Sequence, residues 1–147
     1  MLISNVLRSK GDVVERIRFD EMVGEAVCRL SRHGGGALVV DDHQMQMVGI
    51  FSEQDVMDGV AREGAAVLLQ QVSELMSSCA MTCSSMDRID TILTKMTTAR
   101  IRHLPVIEEG QLVGIVSNGD LRKLHLEETW AEKNVLMDVV RFQGTQA

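Results

Sequence analysis

The chain has 147 residues, 45% of them hydrophobic, and its 15 Lys and Arg against 21 Asp and Glu give a net charge of −6. That acidity argues against a general affinity for nucleic-acid phosphates, and aromatics at 3% with no Tyr provide no stacking platform for single strands. No apolar run approaches the roughly 18–20 residues that cross a bilayer, residues 1–12 lack an apolar signal core, so a cytoplasmic location is expected, and three cysteines, an odd count, read as reduced thiols.

Taken in chain order, 13–19 is a short extended piece able to add a strand. Residues 22–33 set Val23, Ala26, Val27 and Leu30 on one helical face, and Gly34-Gly35-Gly36 stops that helix. Two short apolar runs, 37–40 and 47–51, predict strands buried on both faces, joined by a turn at Asp41-Asp42-His43-Gln44. Ser52 opens a helix that reaches about Arg62, and 65–78 is a partly helical linker. A second extended piece, 80–84, precedes a helix over 87–100 with Ile89, Ile92, Leu93 and Met96 on one face. Strands follow at 103–107 and 111–116. Pro105 has no backbone donor and suits a strand start or an edge. From Asn118 a charged helix runs to about Phe142. Its apolar positions Leu121, Leu124, Trp130, Val135, Val139 and Val140 keep no strict heptad, which argues against a long coiled coil. Two readings of it stay open: a surface helix folding back on the domain, or a contact face anchored by Trp130. Met22, Met76 and Met96 fit core positions.

An internal repeat organises these elements. Val48-Gly49-Ile50-Phe51-Ser52-Glu53-Gln54-Asp55-Val56 matches Val113-Gly114-Ile115-Val116-Ser117-Asn118-Gly119-Asp120-Leu121 at an offset of 65. Upstream an offset of 66 pairs Val23 with Ile89, Leu30 with Met96 and Leu38 with Leu104, so the first copy carries one extra residue within 41–47, where a hairpin loop tolerates it. Each half alone is near the lower limit at which a core stabilises itself, so the two are expected to pack together.

In each copy Ser is followed three residues later by Asp at a strand-to-helix junction. That spacing caps a helix by satisfying its free N–H groups. It also suits ligand binding, because a helix N-terminus favours phosphate and a carboxylate one turn on accepts hydrogen bonds from ribose hydroxyls. The two uses are compatible.

The copies resemble the paired cystathionine-beta-synthase (CBS) domain, the Bateman module, whose repeats carry Gly-h-x-Ser/Thr-x-x-Asp, h being apolar, after a strand. The resemblance covers about 2–126. It includes Leu104-Pro105-Val106, the segment Val72-Ser73-Glu74-Leu75-Met76, and Lys10-Gly11 with Arg-x-Arg-His-Leu-Pro-Val from Arg100, as in small stand-alone bacterial members. It implies an α/β fold of α+β repeats, two tandem CBS repeats packed as one module: 1–64 the first repeat with a short N-terminal helix, 65–72 a linker, 73–126 the second repeat and 127–147 a helical extension. It also implies a regulatory sensor rather than an enzyme, binding AMP, ADP, ATP, NAD or S-adenosylmethionine between the repeats, with no obligatory cofactor. A homodimer is expected, acting on an unknown regulated protein and not on a nucleic-acid polymer or a membrane. By carry-over, Ser52 with Asp55 and Ser117 with Asp120 form the phosphate-and-ribose pairs, with Gly49 and Gly114 leaving room beside each strand. Backbone around Ala37, Leu38 and Val39 and around Leu104, Pro105 and Val106 holds adenine, and Arg100, Arg102, His103 and Lys10 meet phosphates.

Two departures weaken the first copy. Gly35 stands where its counterpart is Ile101, removing a wall for an adenine ring, and Gln54 replaces an Arg that relatives often show. The second copy, with Arg100, Arg102 and His103, is therefore expected to be the stronger site. The rival reading is a ligand-free interaction or scaffold protein whose Ser–Asp pairs only cap helices. A detached regulatory fragment of an enzyme has no attached catalytic domain to support it. Cys79 and Cys83 are four apart, but a closed zinc site needs four ligands and no further Cys or His pair lies nearby. Without a Gly-x-Ser-x-Gly elbow or a Cys–His pairing, no catalytic residue stands out.

Overall fold

A computed structural model describes residues 1–11, 13–78 and 81–144. Cys79, Ala80 at the head of the expected piece 80–84, and the last three residues of the expected extension lie outside the described residues. In order the elements are α1 (Ile3–Lys10), β1 (Arg16–Arg18), α2 (Val23–Arg32), β2 (Ala37–Asp41), β3 (Met47–Ser52), α3 (Glu53–Glu63), a 3-10 turn (Gly64–Leu69), α4 (Val72–Leu75), α5 (Ile89–Ala99), β4 (His103–Glu108), β5 (Gln111–Ser117) and α6 (Asn118–Gly144).

The mixed α/β fold is two versions of one unit. β1 runs parallel to β2, and β2 pairs antiparallel with β3, Val39 opposite Ile50. β4 pairs antiparallel with β5, Pro105 opposite Ile115. Cys83 supplies a parallel bridge on the far edge of β4, where the expected extended piece falls. Pro105 sits inside β4, not at its start, and costs no bond: Cys83 N–H donates to the Pro105 carbonyl and Ile107 N–H to the Cys83 carbonyl, so no partner needs a Pro105 donor. The extra residue of the first copy lies in the β2–β3 connection, where the Asp42 carboxylate accepts from the N–H groups of Gln44 and Gln46.

Each half has its own core, and the chain crosses between them. Ile17, Val23, Ala26, Leu30, Leu38, Val40 and Phe51 form the first, completed by Val67, Val72 and Leu75 from the 3-10 turn and α4. Ile89, Ile92, Met96, Leu104, Val106, Val116 and Leu121 form the second, completed by Ile3 and Val6 from α1. Backbone bonds mirror the exchange. Ile3 N–H reaches the Asp87 carbonyl and Ile89 N–H the Met1 carbonyl, while Val23 N–H reaches Gln70 and Val72 N–H reaches Glu21. Packing thus crosses the expected division of the chain, since α1, counted with 1–64, packs in the second core and α4 packs in the first. The apolar pairs on these short helices fill the end of whichever core offers them a gap, and order along the chain does not tell which.

Two smaller expectations also change. Met22 is 46% exposed at the N-cap of α2, whereas Met96 is fully buried and Met76 packs on the first core. α6 folds against the domain only through its first turns: Leu121 is fully buried and Glu128 accepts from the N-terminal amine at 3.0 Å. From Thr129 to Arg141 every residue is exposed, so the folding-back reading fails for that half.

Candidate functional site: two clefts between the repeats

At the end of β3, Ser52 takes an extended conformation and hands the chain to α3. Its N–H donates to Asp55 Oδ2 at 2.9 Å and its hydroxyl to the same oxygen at 3.2 Å. Ser77, at the end of the crossing linker, donates to Asp55 Oδ1 at 3.3 Å. At the end of β5, Ser117 N–H donates to Asp120 Oδ2 at 3.0 Å and Asp120 N–H to Ser117 Oγ at 3.0 Å. Lys10 Nζ adds a bond to Asp120 Oδ2 at 2.7 Å. Both pairs thus cap their helices, and both also line clefts.

The glycines before them serve the chain itself. A methyl group at Gly49 would lie 2.8 Å from Met76 Sδ and from the Ser77 carbonyl, and one at Gly114 would lie 2.6 Å from Leu7 Cδ2. The close approach each glycine permits is taken up by the crossing segment, α1 or the residues after α4, where a bound molecule was expected. The glycines that stop α2 have positive φ, which residues with a side chain rarely adopt. Gly35 is covered by the Glu53 carboxylate, which also accepts from Gly36 N–H.

One cleft, of about 380 Å³, joins Ser52 and Asp55 to Arg100, Ile101, Arg102, His103 and Pro105 from the second half, with Ser77 and Ser78 at its edge. The other, of about 420 Å³, joins Lys10, Gly114, Ser117 and Asp120 to Gly34, Gly35, Gly36, Ala37 and Leu38 from the first half. Both fall in the size range of small-molecule sites. Each cleft pairs one half's acidic cap with the other half's strand entry. Arg100 and Arg102 accordingly share the cleft of Asp55, whereas the sequence reading attached them to Asp120. Of the expected site residues, Gly49, Val39, Leu104 and Val106 line neither cleft. Val39, Leu104 and Val106 are fully or almost fully buried, because inward positions on these strands serve the cores. Ser77, Ser78, Asp58 and Met81 line the first cleft without having been singled out. Their only sequence signal is position, directly after the Val-Ser-Glu-Leu-Met segment or on the turn of α3 that follows Asp55.

The electrostatics of the clefts differ. Among the described residues neither Arg100 nor Arg102 takes part in an ion pair or side-chain hydrogen bond, and Arg100 holds a left-handed conformation at the end of α5. Both also border an open depression at the start of α6, beside Ser117, Asn118 and Arg122. Burial pushes Asp120 up, but the bond and charge of Lys10 with the Ser117 N–H outweigh it and hold the carboxyl below its ordinary value. His103 lines both clefts. Burial first, then the Lys10 charge, pushes it down against the pull of Asp120 and Asp55, so it is uncharged at neutral pH. An imidazole so placed can offer a ligand a hydrogen bond. Cys83 is buried and its thiol is pushed up to about 12, first by burial and then by Asp87. Cys28 is exposed. No helix among the described residues is long and apolar enough to cross a membrane.

The family model for the CBS domain matches residues 11–62 and 72–127. A mitochondrial CBS domain-containing protein of Arabidopsis thaliana is 30% identical over 134 residues, 86% of this chain and 65% of that protein, so the chain spans just under two-thirds of this relative. Among solved structures, a CBS-domain containing protein from Agrobacterium tumefaciens is 39% identical with a TM-score of 0.78, covering 83% of this chain and 91% of that one. A CBS domain pair crystallised with 5-methylthioadenosine and S-adenosyl-L-methionine is 22% identical with a TM-score of 0.75, covering 87% and 98%, a likeness of fold.

Proposed function

The chain belongs to the CBS-domain family, and we propose that it is a non-catalytic regulatory module, cytosolic and homodimeric, that binds an adenosine-containing ligand between its repeats and so changes its affinity for a partner protein. The observation that carries this reading is the cleft in which Ser52 and Asp55 face Arg100 and Arg102 across a wall of Ile101 and Pro105. Asp55 suits ribose hydroxyls, and the N-terminus of α3 with two guanidinium groups that have no ion-pair partner among the described residues suits phosphates. The related pair crystallised with adenosyl compounds supports adenosine as the common part; the two arginines favour a phosphate-bearing form, AMP, ADP, ATP or NAD, over S-adenosylmethionine. In the second cleft Lys10 already neutralises Asp120, and three glycines stand where the first cleft has Ile101, with Val13, Val14 and Ile115 as its apolar lining. Binding shifts the module only so far as the ligand prefers one arrangement of the repeats.

The scaffold reading keeps one observation in its favour, since both Ser–Asp pairs satisfy themselves as helix caps. Calorimetric titration and thermal unfolding with AMP, ATP, NAD and S-adenosylmethionine separate the two. At a hundred times its dissociation constant, a ligand of the folded state adds about 2.7 kcal/mol of stability. Asp55→Ala and Arg102→Ala are expected to abolish or weaken that gain and Asp120→Ala to leave it. If no adenosyl compound moves the transition, the scaffold reading stands; if Asp120→Ala alone removes binding, the ligand sits in the other cleft.

A further inference from the structure

Where α5 gives way to β4 beside the first turn of α6, a depression of about 670 Å³ is lined by Arg100, Arg102 and Arg122, and no carboxylate among the described residues lines it. That grouping runs against a chain whose net charge is −6. Among the described residues none of the three arginines takes part in an ion pair or a side-chain hydrogen bond. Like charges gathered without a counter-ion repel one another, and an anion placed among them relieves the repulsion. The end of the helix is not the source of the attraction, since Asn118 N–H already donates to the Arg102 carbonyl at 2.8 Å and Asp120 N–H to Ser117 Oγ at 3.0 Å. The charge comes from the side chains.

The repeat supplies a comparison within the molecule. At the offset of 66, Arg100, Ile101 and Arg102 stand where the first copy has Gly34, Gly35 and Gly36; at the offset of 65, Asn118 stands for Glu53 and Arg122 for Met57. In the first copy the Glu53 carboxylate covers Gly35. One place on the shared template thus carries a single negative charge in the first half and three positive charges in the second. Both halves fold, so the fold does not require these cations. Arg100 even keeps a left-handed conformation, φ 57°, at the position where the first copy uses Gly34, although a side chain is disfavoured there.

The neighbouring cleft indicates the occupant. Arg100, Ile101, Arg102 and His103 line the first cleft as well, so the two hollows share a wall, while Arg122 belongs to the depression and not to that cleft. We infer that the depression is a polyphosphate subsite, which receives the phosphates beyond the first of a nucleotide whose adenosine lies in the first cleft. Arg100 and Arg102 serve both hollows, and Arg122 reads the far phosphates. Guanidinium groups suit that task because their fork of donors matches phosphate oxygens. The module then prefers ATP or ADP to AMP, and Arg122 sets the preference.

The inference rests on the nucleotide reading proposed above, and calorimetric titration of the full chain with AMP, ATP and inorganic tripolyphosphate separates the two. ATP is expected to bind about tenfold more tightly than AMP, the effect of one good charged contact. Arg122→Ala, at an exposed position, is expected to remove that advantage while AMP affinity and the thermal unfolding of the free protein stay as they are. Lys123→Ala deletes the adjacent cation, which does not line the depression, and is expected to leave both affinities unchanged. Equal affinity for AMP and ATP in the wild type, or a loss in Arg122→Ala as large for AMP as for ATP, overturns the subsite and leaves the nucleotide reading standing. An equal loss of ATP affinity in Lys123→Ala does the same, by assigning the effect to net charge. Tripolyphosphate bound by the wild type and released in Arg122→Ala, with neither nucleotide bound, overturns the nucleotide reading and the link to the first cleft. Binding of none of the three overturns both.

Discussion

The two clefts use the same repeated parts and differ in what the opposite half lends them. At Asp55 the second half contributes Ile101, Pro105 and two arginines without ion-pair partners among the described residues; at Asp120 the first half contributes a loop of three glycines, and α1 delivers Lys10 onto the carboxylate. A repeated Ser-x-x-Asp therefore marks two helix termini of like geometry, but the partner elements decide whether a terminus can hold an anion or is already neutralised. His103 stands between the two, uncharged, and feels both carboxylates.

That contrast extends into the cores, where it is easiest to break. Phe51 and its repeat counterpart Val116 are both fully buried. Phe51→Ala is expected to cost about 3–5 kcal/mol in urea unfolding, clearly more than Val116→Ala; equal losses would mean that the halves do not differ in how much their cores rely on this position. Next in size is the glycine pair. Gly49→Ala drives a methyl group onto a backbone carbonyl and is expected to destabilise by about 1–3 kcal/mol. Gly114→Ala meets only the tip of Leu7, which can rotate away, and is expected to cost less. The reverse order would show that α1 is held more rigidly than the linker.

Lys10→Ala tests the neutralised cleft. The pair is partly exposed, so its loss is expected to cost about 0.2–1 kcal/mol at neutral pH. Because the folded-state pKa of Asp120 is lowered, its contribution is full above the unfolded value of about 4 and disappears as pH falls through the lower folded value. Acid unfolding curves of the variant should diverge from wild type above that range and converge below it. The smallest effect concerns slope. With its folded pKa lowered, His103 gives its full contribution above about pH 6.5, and stability declines as pH falls from there through the folded value. His103→Gln is expected to flatten that stretch of the curve, and a titration of the imidazole by nuclear magnetic resonance showing a raised pKa would contradict the burial argument.

Much of the architecture was legible in the chain. The spacing of Val23, Ala26 and Leu30 and of Ile89, Ile92 and Met96 marked α2 and α5, because one face of each had to be buried. The strands fell within a residue of their apolar runs, and the offset repeat located the loop that holds the extra residue. Met22 misled because it sits at a helix cap, where periodicity no longer assigns a face. Gly49 and Gly114 were recognised as points of close approach, but nothing in the sequence says what approaches.

By itself, then, the sequence determined the duplicated unit, its order of helices and strands, its family resemblance and the two capped helix starts, all of which depend on neighbours a few residues apart. Only the tertiary structure decided which acidic pair shares a cleft with the arginines, which core α1 and α4 complete, and that α6 does not fold back on the domain beyond Glu128. Those outcomes depend on how two similar units dock, and docking brings together groups such as Lys10 and Asp120, or Asp55 and Arg100, whose separation along the chain carries no local signal.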